Sequence, residues 1–171
     1  MKTRTALLAA SAALGAGLLG GYVFVRGHGF SAREKPTAVE EFLARKARWL
    51  ATPWGVRDLK NPLPATPEHV AEARDHFADH CAVCHANDGS GRTMIGDGLY
   101  PPVPDMRGPA TQSLTDGELL YIIKNGIRFT GMPGWGGEDE ENWKLVHFIR
   151  HLPGLSPAEL KFMEEINGGK F

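Results

Sequence analysis

The chain has 171 residues, about one domain on a prior of roughly 150 residues per domain, which argues against a multidomain enzyme. Nineteen Lys and Arg against twenty Asp and Glu leave a formal net charge of -1, so the basic excess of a nucleic-acid binder is absent, and 42% hydrophobic with 23% charged residues excludes a disordered or polytopic membrane chain. The two cysteines, Cys81 and Cys84, have only two residues between them, so no disulfide framework is expected.

Lys2 and Arg4 precede an uncharged run from Thr5 to Val25. As a helix these 21 residues reach about 31 Å, matching a hydrocarbon core of about 30 Å. Residues 1–26 are therefore expected to form a single N-terminal transmembrane anchor, touching the lipid bilayer through residues 5–25. A cleaved signal peptide is the alternative, because Ala10-Ser11-Ala12 and Gly15-Ala16-Gly17 offer small-residue cleavage patterns. The apolar character continues past both, through Tyr22, Val23, Phe24 and Val25, which favours the anchor. Lys2 and Arg4 on one side nearly balance Arg26, Arg33 and Lys35 on the other, so charge alone does not orient it.

Residues 27–65 read as a juxtamembrane linker. After Pro36, Thr37-Ala38-Val39-Glu40 is a capping box opening an amphipathic helix that Pro53 ends. Val39, Phe42, Leu43, Trp49 and Leu50 fall near one stripe, with Arg45, Lys46 and Arg48 elsewhere, a pattern that suits a lipid surface or packing on protein. Thr52 to Pro67 holds four prolines and reads as an extended spacer. Residues 27–65 carry seven basic and four acidic side chains, whereas 66–152 carry seven basic and thirteen acidic ones, so a net -6 domain should prefer a basic docking patch on a soluble partner.

Thr66-Pro67-Glu68 starts the next helix, and Val70, Ala73, Phe77 and Cys81 follow near helical spacing. That helix leads into Cys81-Ala82-Val83-Cys84-His85, the C-x-x-C-H signature of c-type haem attachment. The two thiols can form thioethers with the two vinyl groups of one porphyrin, and the adjacent imidazole reaches the iron from the same side. One covalent haem c on Cys81 and Cys84, with His85 as proximal ligand, is the expectation. A zinc site would need two more Cys or His at suitable spacing, and the pairs His76/His80 and His147/His151 fall on predicted helices as surface residues. A thioredoxin-like dithiol would follow a strand, whereas a helix precedes this motif.

The distal ligand must come from Met94, Met106, Met132, Met163 or a spare histidine. Thr115-Asp116-Gly117-Glu118 opens a helix through Leu119, Leu120, Ile122 and Ile123 that ends at Asn125-Gly126. Beyond it, Gly131-Met132-Pro133-Gly134-Trp135-Gly136 sets a thioether in a loop whose glycines permit close approach to a flat ligand. Met132 is the expected distal ligand and Met94 the runner-up, with Met106 and Met163 read as core filling.

These motifs in order, with Asn87-Asp88-Gly89-Ser90-Gly91 and a last helix through Trp143, Val146 and Phe148, resemble a class I c-type cytochrome. The closest pattern is that of bacterial mono-haem domains found as soluble carriers and as haem-bearing subunits of haem-copper oxidases. The resemblance covers residues 66–152. It implies an all-α class I cytochrome c fold of about three main helices around one covalent haem, with His85 and Met132 as axial ligands. It also implies that a carbonyl of Pro101 or Pro102 accepts from the proximal imidazole. Ala86 stands where the family often has Gly. Tyr100, Arg92, Arg128 and Trp135 are candidates to meet the propionates. Residues 153–171, starting at Ser156-Pro157-Ala158-Glu159, read as a short packing tail helix.

Haem c is attached outside the bacterial cytoplasmic membrane, so the resemblance implies an inner-membrane, single-pass protein with its haem domain in the periplasm. Two protein axial ligands leave no open iron position, no small-molecule substrate is implied, and the expected role is non-enzymatic: single-electron transfer between respiratory partner proteins. A fixed haem-bearing subunit of a respiratory oxidase or dehydrogenase complex is the alternative. A haem sensor or peroxidase would need a labile distal ligand.

Overall fold

The computed structural model describes residues 2–29 and 31–171, and among these every regular element is helical, with no strand. They divide into two compact units, one ending at Glu34 and one spanning Lys35–Phe171. The first unit is α1, Lys2–His28, whose residues 3–28 are long and apolar enough to cross a membrane. Its side chains from Leu7 to Phe24 are exposed along the helix, as a lipid-facing helix requires.

The second unit opens with α2, Ala38–Ala51. Thr37 Oγ1 accepts from the Glu40 amide at 3.3 Å while the Thr37 amide donates to Glu40 Oε2 at 2.7 Å, so both halves of the capping box form. A residue's position on the stripe does not decide what it touches: Val39, Phe42, Leu43, Trp49 and Leu50 are all exposed, and α2 buries no residue. Instead α2 docks by its polar edge, where Tyr100 Oη donates to Glu40 Oε1 at 3.0 Å.

Four further helices and two short ones follow: α3 (Pro67–His76), α4 (Ala82–His85), α5 (Pro109–Gln112), α6 (Asp116–Asn125), α7 (Asp139–His151) and α8 (Pro157–Asn167). Pro67 at the first turn and Thr66 as cap start α3, with Thr66 Oγ1 accepting from the His69 amide. α3 crosses α7, and the crossing is built on Phe77 and Phe148, both fully buried with ring centroids 5.1 Å apart. Each buried side chain of this size contributes about 1.5–3 kcal/mol. Leu119, Leu120 and Ile123 of α6 and Val146 and Leu152 complete the core.

α8 closes it. Met163 is fully buried, as a core-filling methionine should be, and Asn167 Nδ2 donates to Asn87 Oδ1 at 2.7 Å. Arg74 lies over the Phe162 ring at 4.1 Å, so the tail is seated on α3 through packing as well as hydrogen bonds.

The proline-rich stretch after α2 is not a free spacer. Val56–Asp58 form a 3₁₀ turn against α6, Asn61 Nδ2 donates to the Trp143 carbonyl at 2.9 Å, and the His147 ring pairs with the Leu63 carbonyl at 2.9 Å. Arg57 joins these parts: its Nε donates to Glu118 Oε1 at 3.0 Å, and its guanidinium lies 4.7 Å from the Trp49 ring. Local sequence carries no sign of this, because it depends on Gly117 of α6. A Cβ on Gly117 would come within 1.9 Å of the Val56 carbonyl oxygen, a backbone atom that cannot rotate away. Gly117→Ala is therefore expected to push the 56–58 turn off α6. It should destabilise the protein by about 2 kcal/mol or more, as overpacking of a tight contact does, despite the better helix propensity of Ala. Denaturant titration of the full chain measures it.

Candidate functional site

α3 does not pass smoothly into the cysteine motif. Phe77–Cys81 form a π turn, in which the Ala82 amide bonds to the Phe77 carbonyl. The extra residue in that turn shifts the register of everything after it, and such bulges are frequent at functional sites. It carries Cys81 to the end of the turn while Phe77 stays in the core. Cys84 and His85 follow on α4, which stops at once because Ala86 adopts φ 60°, ψ 158°. That backbone region strongly favours glycine, which gives the family's usual Gly at this position a physical reason. The 86–108 loop then folds back: the Gly91 amide donates to the His85 carbonyl at 2.8 Å, and Thr93 Oγ1 to the Val83 carbonyl at 2.8 Å.

Another part of the wall comes from the segment after α6. Gly126 has φ 65°, and a Cβ there would meet the Met132 carbonyl at 2.5 Å, so the loop can close only on a glycine. The Ile127 amide donates to the Met132 carbonyl at 3.1 Å, and the Trp135 and Gly136 amides donate to the Ile123 and Lys124 carbonyls. The loop thus satisfies carbonyls that the end of α6 would leave unpaired, and in doing so fixes the Met132 backbone. Met132 is half-buried.

Between these walls lies a solvent-connected cavity with roughly 850 Å³ of open space. Cys81, His85, Met132 and Trp135 all line it, with Phe77, Ile123, Leu145 and Ile149 among its apolar lining, and the Trp135 ring lies 6.0 Å from that of His80 beside Cys81. Cys84, half-buried, is not part of the lining; it stands one helical turn beyond Cys81, and neither thiol is in a disulfide.

Burial sets the chemistry of this wall. It pushes the Cys81 thiol up to about 12, with the neighbouring Cys84 adding to the effect, and it raises Cys84 as well. Burial also pushes the His85 imidazole down to about 4, so the ring is neutral at neutral pH and keeps a lone pair for a metal. His85 Nδ1 is buried without a hydrogen-bond partner. The carbonyl bond expected from Pro101 or Pro102 is not formed; both prolines are exposed.

Other expected residues separate clearly. Met94 is 91% exposed and does not line the cavity, which removes the runner-up ligand from it. Met106 is buried and lines the cavity as well as the core. Of the four residues offered for the propionates, Trp135 reaches the cavity, and Tyr100, Arg92 and Arg128 do not. Two lining residues escape sequence reasoning. His76, read as surface, faces the cavity with its pKa lowered by burial and then by His80, and Arg48 reaches it from α2.

The lining fits a haem: it combines a large apolar cleft, a neutral buried imidazole free of protein hydrogen bonds, two nearby thiols and a thioether. Among the described residues, no three of His, Cys, Asp and Glu gather as they would in a zinc cluster. Residues 68–149 match the family model for cytochrome C oxidase, cbb3-type, subunit III. These residues form a class I c-type cytochrome domain. No curated protein matches the chain. The cytochrome domain so matched runs from α3 through α7 and contains the cysteine motif, the 126–137 loop and most of the cavity wall. It leaves out α1, α2 and α8, of which α2 still contributes to the cavity through Arg48. A cytochrome domain of this kind bears haem and takes part in electron transfer with redox partner proteins.

Proposed function

We propose that this chain is a membrane-anchored, periplasmic c-type cytochrome that carries single electrons between respiratory partners through one haem c. Cys81 and Cys84 tether it, and His85 and Met132 ligate its iron. In this reading residues 1–26 are the anchor, 27–65 a juxtamembrane segment, 66–152 the haem domain and 153–171 a tail that buttresses it. The observation that carries the proposal is the cavity itself, which Cys81, His85 and Met132 line together with apolar side chains.

The haem, when bound, supplies the one-electron couple. The protein's part is to hold its surroundings still. Burial keeps His85 neutral, so coordination needs no proton to be displaced from it at neutral pH. The Met132 thioether is a soft donor that favours the reduced metal and so a higher potential. Its backbone is tied at both ends, through the Ile127 amide and through Thr130 Oγ1, which accepts from the Met132 amide at 3.1 Å. Residues fixed in this way change little between oxidation states, which keeps the reorganisation cost of electron transfer low. A c-type domain held by the membrane through residues 5–25 would meet its partners at the periplasmic face of the inner membrane.

The family match gives weight to one other reading, that of a haem-bearing subunit fixed within a respiratory oxidase. Salt separates the two. An exchanging carrier releases its partner as ionic strength rises, whereas a subunit copurifies.

The test is a reduced-minus-oxidised spectrum, with and without carbon monoxide, on washed membranes and on the soluble fraction of cells expressing the chain with cytochrome c maturation. A sharp c-type band in the membranes that carbon monoxide leaves unchanged is expected. A band confined to the soluble fraction would overturn the anchor, and a rapid carbon monoxide shift would overturn the Met132 ligation.

A further inference from the structure

Arg48 stands apart from the rest of the cavity lining. Among the described residues, it is the lining side chain with a permanent charge; the others are apolar, neutral polar or titratable. It belongs to α2, outside the cytochrome domain matched at 68–149. The residue is half-buried, and its guanidinium has no hydrogen bond or ion pair among the described residues, whereas Arg45 on the same helix is paired with Glu41 at 3.2 Å.

The position is held from three directions. Tyr100 Oη is bonded to Glu40 near the start of α2, Arg57 Nη2 donates to the carbonyl of Trp49, the residue after Arg48, and Thr52 donates through its amide and its hydroxyl to the Arg48 carbonyl. Arg57 is itself bound to Glu118 of α6, so the last turn of α2 is fastened to the haem domain. An unpaired guanidinium kept at the edge of an apolar cavity is costly unless an anion joins it there. The planar fork of Arg matches a carboxylate with two parallel hydrogen bonds.

We infer that Arg48, on a helix outside the cytochrome domain, is the cationic partner of a haem propionate carboxylate, so that α2 completes the haem site. The inference rests on the haem assignment proposed above. It gives the linker helix a function: by holding Arg48 at the cavity, the segment between anchor and haem domain sets part of the haem's electrostatic environment. A cation beside the porphyrin favours the reduced form, which carries one less positive charge, and therefore raises the midpoint potential.

The test is an equilibrium redox titration, at fixed neutral pH, of the haem-loaded full chain and of Arg48→Met, Arg48→Gln, Arg48→Lys and Arg45→Met. Met keeps much of the aliphatic stem and removes the charge. A lower midpoint in Arg48→Met, recovery toward the parent value in Arg48→Lys and no shift in Arg45→Met are expected. If Arg48→Met and Arg45→Met titrate alike, the inference is overturned. If Arg48→Met fails to load haem, the Lys variant decides: a parent-like midpoint supports the pairing, and a midpoint no closer to the parent than that of Arg48→Gln overturns it. A parent chain lacking covalent six-coordinate haem would instead defeat the proposed function, an outcome visible in its spectrum before any titration.

Discussion

Cys81→Ser combined with Cys84→Ser is expected to leave no haem on the polypeptide after denaturation, and to lower the stability of whatever protein accumulates. Serine hydroxyls do not add to the porphyrin vinyl groups under the conditions in which thiols do, so the covalent link is lost completely. His85 and Met132 would remain to bind haem reversibly. Stability falls because the cavity is walled by the same side chains that make the core: Phe77 packs on Phe148 and also faces the cavity, as do Ile123, Leu145 and Ile149. The packing these side chains would make against the porphyrin is lost with it, and against a total stability of about 5–15 kcal/mol for an ordinary domain such a loss is measurable. Haem staining of denaturing gels reads the first effect, and thermal unfolding reads the second. Either single variant retains one thioether and should keep some stained haem. A tethered haem in the double variant would remove the covalent assignment altogether.

How much of this was legible in the sequence follows the range of the interactions. The capping boxes at 37–40, 115–118 and 156–159 are all present, because each is closed within four residues. The cysteine motif and the glycine-flanked Met132 loop are local patterns too, and the cavity brings Cys81, His85 and Met132 together. What the sequence hides is long-range. The clash that would follow a Cβ on Gly117 depends on Val56, sixty-one residues earlier, and without it the 52–65 stretch looks like a spacer. Helical periodicity marks the apolar stripe of α2 correctly but says nothing of which edge docks, and the docked edge is the polar one. Arg48 and His76 look like surface charges for the same reason. The π turn at 77–81 has no sequence signal, and its trace is only that Phe77 and Cys81 serve core and cavity at once.

Met132→Ala tests the other half of the site and should act on the haem without detaching it. The thioethers depend on Cys81 and Cys84, so haem stays bound and stained. The iron loses its soft donor and gains an open position, which carbon monoxide should occupy rapidly in the ferrous protein at neutral pH. The midpoint potential should fall by a sizeable part of the roughly 0.8 V range that axial ligands span, because the thioether is what favours the reduced metal. The loop itself should persist. Its closure rests on backbone groups of Ile127, Trp135 and Gly136 and on the conformation of Gly126, none of which uses the Met132 side chain. The substitution therefore separates ligation from folding: far-ultraviolet circular dichroism should match the parent, while the thioether-to-iron charge-transfer band disappears. His76 offers an alternative imidazole, since it also lines the cavity and burial lowers its pKa. If Met132→Ala remained six-coordinate with a bis-histidine spectrum and His76→Ala in that background opened the iron, the imidazole would be a replacement ligand. An unchanged charge-transfer band in Met132→Ala alone would show that the sulfur comes from elsewhere, and Met106, which also lines the cavity, would be the residue to substitute next.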